Sequence, residues 1–293
     1  MKRDDLADIV AYADNSGIAV ALSPSATKLV TYERLAQLHE EGLKAISLSL
    51  DGSSAEIHDA FRGFPGVYAR TLELWKIAHD IGLRVQINTT VSRHNVEDLA
   101  SIARLLREQK AFLWSVFFLV PTGRGRLLEQ ITATECEDVM NFLYDVGNVI
   151  PVKTTEGHHF KRIVVQRDSF EEFEAGLLYR RLMRALGPDW PQTEKARRAP
   201  MDINAGRGFV FISHRGQVYP SGFLPLSAGN VRRESLRDLY RNSDLFQAMR
   251  DPSRLTGRCG RCRFQPVCGG SRSRAYAATG DPFASDPLCA YQP

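Results

Sequence analysis

Short apolar segments alternate with amphipathic helical patterns along the first 150 residues, and this alternation constrains the fold more than any other feature. The predicted strands are 18–23, 45–50, 85–88 and 112–120, and the predicted helices are 6–13, 32–42, 67–82 and 95–110. Strands that are joined by helices pair in parallel, with right-handed crossovers. The pattern therefore predicts an α/β fold with a parallel sheet.

The second half of the chain predicts a different organisation. A capping box at 134–137 predicts the start of a helix, and one long helix is expected over 160–185. Residues 208–223 alternate around a turn and predict a β-hairpin, and 235–250 predicts one helix or two short ones. We place a domain boundary near residue 200, which gives an α/β domain over 1–200 and a small domain over 201–293. The basic run 195–198 is expected to face solvent.

The composition bounds the class of protein. Hydrophobic residues make up 43% of the chain, charged residues make up 25%, and the net charge is +4. These values are ordinary for a globular protein and do not indicate a nucleic-acid partner. No apolar run is long enough to cross a membrane, and the first residues lack a secretory segment. We therefore expect a cytoplasmic protein without a membrane partner, in which thiols stay reduced.

Four of the five cysteines lie within the last 35 residues, at Cys259, Cys262, Cys268 and Cys289. In a reducing compartment such a group is more typical of a metal site than of disulfides. Four thiolates suit either a tetrahedral zinc ion or an iron–sulfur cluster, and the spacing alone leaves both open. Neighbouring arginines are expected to favour the thiolate form. Cys136 stands alone and is expected to be a packing residue.

Polar residues follow each predicted strand of the first domain. These segments are 23–25, 49–52, 88–90 and 121–126, and Arg62 adds a cation just beyond the second. The carboxyl ends of parallel strands are where such sheets bind ligands, so this edge is suited to hydroxyls and a carboxylate. The same residue types are also common in turns for conformational reasons, so both interpretations remain open.

The residues resemble a known family. The segments SLSLDG, HDAFRG, QINTTV and SVFFLVPTGRGR, with VYPSGF, GNVR and the cysteine segment, resemble radical S-adenosylmethionine (SAM) enzymes that carry a C-terminal SPASM or twitch domain. Within that family the C-terminal pattern is most similar to the haem and haem d1 biosynthesis branch. The resemblance implies a partial (β/α)6 TIM-like barrel followed by a small cysteine-rich domain.

The family's CxxxCxxC motif and its glycine-rich turn do not occur in this sequence. The predicted first strand, at 18–23, is apolar on both faces and comes almost at once in the chain. Soluble proteins avoid such a hydrophobic edge. We therefore expect the sequence to lack the first βα units of the barrel: either Met1 is an internal methionine of a longer protein, or the chain is a fragment.

The resemblance also implies roles for individual residues. The SAM-binding residues that it implies are Ser49, Asp51, Arg62, Asn88, Val120 and Thr122. Ser49 and Asp51 would face the ribose or methionine part, Arg62 would reach the carboxylate, and 120–122 would border adenine. The four cysteines would hold an auxiliary [4Fe–4S] cluster. Ser221 stands where fuller SPASM domains have a cysteine, so we expect one auxiliary cluster and not two.

The resemblance implies an enzyme. In the full-length protein a second, reduced [4Fe–4S] cluster would cleave SAM, and the 5′-deoxyadenosyl radical would modify a tetrapyrrole side chain or a peptide. The expected electron donor is a flavodoxin or ferredoxin. Two alternatives remain: a noncatalytic iron–sulfur module for electron transfer or binding, and a structural four-cysteine zinc site.

Overall fold

The computed structural model describes residues 1–191 and 203–293, except for the side chain of Arg124. The basic run 195–198 and the proposed boundary near residue 200 lie outside the described residues. The chain forms two compact units. The first comprises the described residues of Met1–Val116, Asp145–Lys153 and Arg181–Arg198, and the second comprises those of Phe117–Tyr144, Thr154–Arg180 and Ala199–Pro293. The assignment of domains to 1–200 and 201–293 stays a prediction.

Helices and strands alternate over the first half of the chain. The helices are α1 Leu6–Asn15, α2 Tyr32–Glu40, α3 Ala55–Arg62, α4 Val67–Ile81, α5 Leu99–Glu108, α6 Ala133–Val146, α7 Phe160–Asp168, α8 Leu177–Leu186, α9 Leu236–Asn242, α10 Asp244–Arg250, α11 Gly257–Arg261 and α12 Arg272–Thr279. The strands are β1 Val20–Leu22, β2 Leu43–Ser49, β3 Arg84–Val91, β4 Leu113–Phe118, β5 Val152–Thr155, β6 Phe211–Ile212, β7 Gln217–Tyr219 and β8 Gly229–Asn230. Short 3-10 helices span Val96–Asp98, Gly123–Leu127 and Pro252–Arg254.

Strands β1 to β5 form one sheet in the order of the chain. β1 pairs with β2 and β2 pairs with β3, both in parallel. In β3, Val85, Ile87 and Val91 are buried while Gln86 and Asn88 between them are half-buried, which is the period of two expected of a strand. The predicted α/β fold with a parallel sheet is therefore confirmed.

The turn between β2 and α3 depends on local chemistry. Gly52 lies so close to α3 that a Cβ there would stand 2.6 Å from the amide nitrogen of His58. The Ser54 side chain then accepts a hydrogen bond from the Ile57 amide and caps the helix. Gly63 ends α3 in the left-handed conformation, with φ of 75°. This tight turn places Asp51 and Arg62 near each other.

Two predictions about helices were wrong in detail. The capping box of α6 is formed by Thr132 and Glu135, not by 134–137: the Glu135 amide donates to Thr132 Oγ1 and the Thr132 amide donates to the Glu135 carboxylate. The expected long helix over 160–185 is two helices, α7 and α8. Phe170 takes a left-handed φ of 55° after α7, and the Asp138 carboxylate accepts the Leu178 amide of the next helix.

Strand β1 lies at one edge of the sheet and contains only three residues. Ala21 at its centre is exposed, and Val20 and Leu22 are half-buried. The predicted apolar edge strand is therefore present, and it is short. Among the described residues, no helix combines the length and the apolar character that a membrane crossing needs.

The second unit contains a small antiparallel sheet of β6, β7 and β8. It confirms the hairpin predicted over 208–223, with shorter strands than the pattern indicated. Val218, Leu239 and Phe246 form a buried cluster behind it. The predicted segment 235–250 forms two short helices, α9 and α10, because Ser243 caps the second one by accepting the Phe246 amide.

Candidate functional site

Asp51 is the centre of a buried polar network in the first unit. Its side chain is fully buried just beyond the end of β2. One carboxylate oxygen accepts the Thr90 amide at 2.7 Å, and the other is paired with the Arg62 guanidinium. The Asp51 amide donates to Nδ1 of His58 at 2.9 Å, and its carbonyl accepts from the Asn95 side chain at 3.0 Å. Asp51 is therefore held through its amide, its carbonyl and its carboxylate.

Burial dominates the electrostatics of this network. It raises the pKa of the Asp51 carboxyl and outweighs Arg62 and the Thr90 amide, which lower it. Burial also lowers the pKa of His58 to about 4, with the nearby Arg62 as the next cause. His58 is therefore neutral at pH 7 and accepts the Asp51 amide. Arg62 keeps 33% of its side chain exposed, so it is a fixed cation with access to solvent.

Ser49 and Asn88 are Cα partners on neighbouring strands, so the sheet register brings together two residues that the sequence placed at separate strand ends. Both are half-buried. The Asn88 oxygen accepts from the Gln86 amide at 2.7 Å. Together with Asp51 and Arg62, they place four of the six residues expected to bind SAM around the carboxyl end of β2. Asn88 was predicted to end its strand, but β3 continues to Val91.

Val120 and Thr122 belong to the second unit. Val120 is buried, and its carbonyl accepts the Thr122 amide at 2.7 Å. Thr122 is half-buried and precedes the 3-10 helix at Gly123–Leu127. Their expected role beside adenine stays a prediction.

All four predicted metal ligands line one pocket of about 440 Å³ in the second unit, a volume that includes open solvent. Cys259 lies in α11, Cys262 ends that helix, and Cys268 precedes Gly269 and Gly270. Cys289 comes from the last segment of the chain. None of the four forms a disulfide, and each is half-buried. Phe264 and Tyr291 give the pocket an apolar wall.

Four cysteines around one pocket are a donor set that suits either an iron–sulfur cluster or a tetrahedral zinc ion. Four thiolates on one zinc ion lie about 3.8 Å apart, as a Zn–S distance of about 2.3 Å in a tetrahedron requires. Within the described part of the chain, no three His, Cys, Asp or Glu side chains converge to hold a single metal ion. An iron–sulfur cluster separates its ligands further, because each thiolate binds a different iron.

The protonation of the free thiols differs from expectation. Burial raises the pKa of Cys268 to about 12 and also raises that of Cys289. The prediction that neighbouring arginines favour the thiolate form is wrong for these two: burial dominates both pKa values, opposed by the Gly270 amide at Cys268 and by Arg162 at Cys289. Metal binding at this site must therefore displace protons from neutral thiols.

Arg274 anchors the segment that follows the third cysteine. Its guanidinium is fully buried and binds both oxygens of Asp286 at 3.0 Å. It also donates to the backbone carbonyls of Phe118, Leu119 and Glu156. Burial alone would raise the pKa of Asp286, but Arg274 and the other contacts bring it down to about 2. The ion pair fixes Asp286, three residues before Cys289.

The buried Glu156 carboxylate accepts hydrogen bonds from three serine hydroxyls. Ser221 and Ser273 donate to it at 2.8 Å each, and Ser271 donates to its other oxygen. Ser221, expected to replace a family cysteine, therefore has a structural partner. No sequence pattern pointed to Glu156, whose φ of 54° puts a non-glycine residue in the left-handed region.

The fifth cysteine is a core residue, as predicted. Cys136 is fully buried, and its sulfur lies 3.3 Å from Nε2 of His159. Burial raises the pKa of Cys136 well above its usual value and lowers that of His159 to about 4. The pair is therefore a neutral thiol and a neutral imidazole at pH 7, in agreement with a structural role.

Comparison with known proteins identifies both units. Residues 1–106 match the radical SAM superfamily, and residues 204–263 match SPASM, an iron–sulfur cluster-binding domain. The AdoMet-dependent heme synthase of Methanosarcina barkeri is 36% identical over 295 residues, which cover 100% of this chain and 80% of that protein.

Solved structures show a similar fold. Streptococcus suis SuiB bound to S-adenosylmethionine has a TM-score of 0.62 at 15% identity, over 99% of this chain and 64% of that one. SuiB bound to its precursor peptide SuiA has a TM-score of 0.64 at 16% identity, over 99% of this chain and 63% of that one. The chain thus spans less than two thirds of SuiB. At these identities the likeness concerns the fold, which agrees with the predicted fold class.

The chain belongs to the radical SAM superfamily of enzymes, in the branch that carries a SPASM iron–sulfur domain. Within that branch it is a relative of the AdoMet-dependent heme synthases, so the predicted haem-biosynthesis-like family is confirmed. SAM and [4Fe–4S] clusters are the cofactors of the family's two domains.

Proposed function

We propose that this chain supplies the SAM-binding strand ends and the auxiliary-cluster domain of a radical SAM enzyme that modifies a tetrapyrrole side chain. The observation that carries the proposal is the 36% identity to an AdoMet-dependent heme synthase over the whole of this chain. The pocket lined by four cysteines agrees with it. A peptide substrate is the alternative, favoured by the fold shared with SuiB.

In this proposal Cys259, Cys262, Cys268 and Cys289 hold one [4Fe–4S] cluster, which supplies one-electron transfer when bound. The 293 residues contain no CxxxCxxC, so cleavage of SAM is proposed only for a protein that also carries that motif. A flavodoxin or ferredoxin is the proposed source of electrons.

The first unit contributes binding and orientation. Arg62, fixed by Asp51, holds the carboxylate of SAM, because the guanidinium keeps part of its surface open to solvent. Ser49 and Asn88 offer a hydroxyl and an amide to the ribose or methionine part. In the second unit, the backbone at 120–122 is the proposed neighbour of adenine.

Iron and sulfide counts after anaerobic reconstitution test the cluster. We expect about four irons and four sulfides per chain, and a large loss of both when any of the four cysteines is changed to serine. Cys136→Ala is the matched control and keeps its iron, because Cys136 packs against His159. Zinc in place of iron, or equal loss in Cys136→Ala, contradicts the proposed cluster.

A second experiment tests the substrate. Protein that carries CxxxCxxC is purified anaerobically from its natural source and given SAM, a reductant and a porphyrin with propionate side chains. We expect 5′-deoxyadenosine to form only when the porphyrin is present. If 5′-deoxyadenosine forms only when a peptide is added, the alternative substrate is supported. If it forms with neither the porphyrin nor a peptide, a noncatalytic electron-transfer module is favoured.

A further inference from the structure

We infer that Arg272 is the counter-charge of Cys259 and sets the reduction potential of the auxiliary cluster. The inference rests on the proposed cluster in the four-cysteine pocket. It concerns one side chain, which the sequence does not distinguish from the other arginines of the segment.

Arg272 is a buried cation held by backbone carbonyls. It begins α12 and is 3% exposed. Nη1 donates to the carbonyls of Pro282 at 2.7 Å and Ala284 at 2.8 Å, and Nε donates to that of Gly270 at 3.4 Å. These contacts fix the plane of the guanidinium but supply no negative charge.

The remaining nitrogen points at a cluster ligand. Nη2 of Arg272 lies 3.8 Å from the sulfur of Cys259. Other buried arginines of this unit have carboxylate partners: Arg274 pairs with Asp286 and Arg162 pairs with Glu137. Within the described residues, no carboxylate pairs with Arg272. The side chain that the Arg272 guanidinium contacts is Cys259, which becomes a thiolate when it ligates the proposed cluster, so the bound cluster would supply the negative charge that a buried guanidinium favours.

Gly270 makes this approach possible. Its φ is 63°, and a Cβ there would stand 2.8 Å from Nη2 of Arg272, 2.9 Å from Cβ of Asp286 and 3.4 Å from the Cys259 sulfur. A side chain at this position would push the guanidinium from the sulfur. The glycine therefore keeps open the space in which cation and ligand meet.

The arrangement has a redox consequence. One-electron reduction by a low-potential donor adds one negative charge at the cluster, with no bond made or broken. The fixed positive charge of Arg272 stabilises that added charge, so it raises the reduction potential. Hydrogen bonding at cluster sulfurs acts in the same direction.

The test is a redox titration of the reconstituted 293-residue chain, followed by EPR, in wild type, Arg272→Gln and Arg272→Lys. At a fixed potential we expect at least a tenfold lower ratio of reduced to oxidised cluster in Arg272→Gln, equivalent to about 59 mV for one electron. Arg272→Lys keeps the charge and stays closer to wild type. Arg263→Gln is the control for loss of a charge next to a ligand, because Arg263 is 61% exposed and pairs with Glu171.

The outcomes separate the inference from the proposed function. A decrease of tenfold or more in Arg272→Gln, with Arg272→Lys nearer to wild type, supports the inference, as does loss of iron in Arg272→Gln alone. The inference is overturned if the ratio of reduced to oxidised cluster falls less in Arg272→Gln, or rises. It is also overturned if Arg263→Gln shifts the ratio equally, or if Arg272→Gln and Arg272→Lys behave alike, equal loss of iron included. Wild type that binds no iron overturns the proposed cluster itself.

Discussion

At the scale of single residues, the Glu156 carboxylate is the acceptor on which three serine hydroxyls depend. Glu156→Gln places an amide donor against at least one hydroxyl donor. We expect the free energy of unfolding to fall by about 1–3 kcal/mol, the usual cost of disturbing a buried hydrogen-bonded group. Urea denaturation of the metal-free chain measures it.

The control for Glu156→Gln is Glu171→Gln, which removes the same charge from a surface ion pair with Arg263. Such pairs contribute at most about 1 kcal/mol. Equal destabilisation by the two substitutions would show that the three serines add nothing to the stability of the buried carboxylate.

His58 makes the stability of the chain depend on pH. Its folded-state pKa is about 4, below the ordinary 6.5. Between these values the unfolded chain takes up a proton that the folded chain does not, so the free energy of unfolding falls as the pH decreases from 6.5 to about 4. Above pH 6.5 His58 is neutral in both states, so this loss of unfolding free energy does not occur there.

Denaturation of the metal-free chain at several pH values, in wild type and His58→Asn, isolates this effect. Asparagine keeps an acceptor for the Asp51 amide but does not titrate. We expect a shallower slope in the variant between pH 6.5 and 4, with a difference of at most about 1.4 kcal/mol per pH unit, the limit for one proton. Parallel slopes would rule out His58 as the titrating group.

At the scale of elements, the N-terminus of α6 offers a direct test of its capping box. Thr132 accepts the Glu135 amide, so Thr132→Ala removes this bond. We expect the free energy of unfolding to fall by about 1 kcal/mol. Thr134→Ala is the matched control: Thr134 is exposed inside the helix, where alanine is the better helix former, so no loss is expected. A larger loss of unfolding free energy in Thr134→Ala than in Thr132→Ala would support the capping box first predicted at 134–137.

The sequence was sufficient for features that are local in the chain. In strand β3 the burial of side chains alternates with a period of two over eight residues, and the spacing of the cysteines predicts a metal site. The surroundings of Asp51 were not predictable in this way. Thr90 and Asn95 reach it from 39 and 44 residues further along the chain, and only the register of β2 and β3 brings them together. Arg62 and Ser49 were predicted as SAM-binding residues, but how far each is buried depends on tertiary packing, which the sequence does not show.

At the scale of the whole molecule, cluster binding is expected to stabilise the two units unequally. A ligand that binds only the folded state stabilises the structure that holds it. We expect reconstitution with iron and sulfide to slow amide hydrogen exchange most in the cysteine-bearing segments of the second unit, and to change β2 and β3 little. Mass spectrometry of peptides from the metal-free and reconstituted chains measures this.

Cys262→Ser treated with iron and sulfide in the same way is the control, and it should show little added protection. Equal slowing in β2, β3 and the cysteine-bearing segments would contradict the expectation, because it would mean that the chain opens only as a single cooperative unit.

The Glu156 carboxylate also bears on how fast the cysteine pocket assembles. Its serine partners lie 65, 115 and 117 residues away along the chain. Contacts of such sequence separation carry a loop-closure cost that local contacts do not, so they form more slowly than contacts within one helix or turn. The serines beside the third cysteine therefore reach their positions late. In a newly made chain the cysteine thiols would be accessible to solvent before the pocket has formed. Iron would then be bound only after this unit has folded.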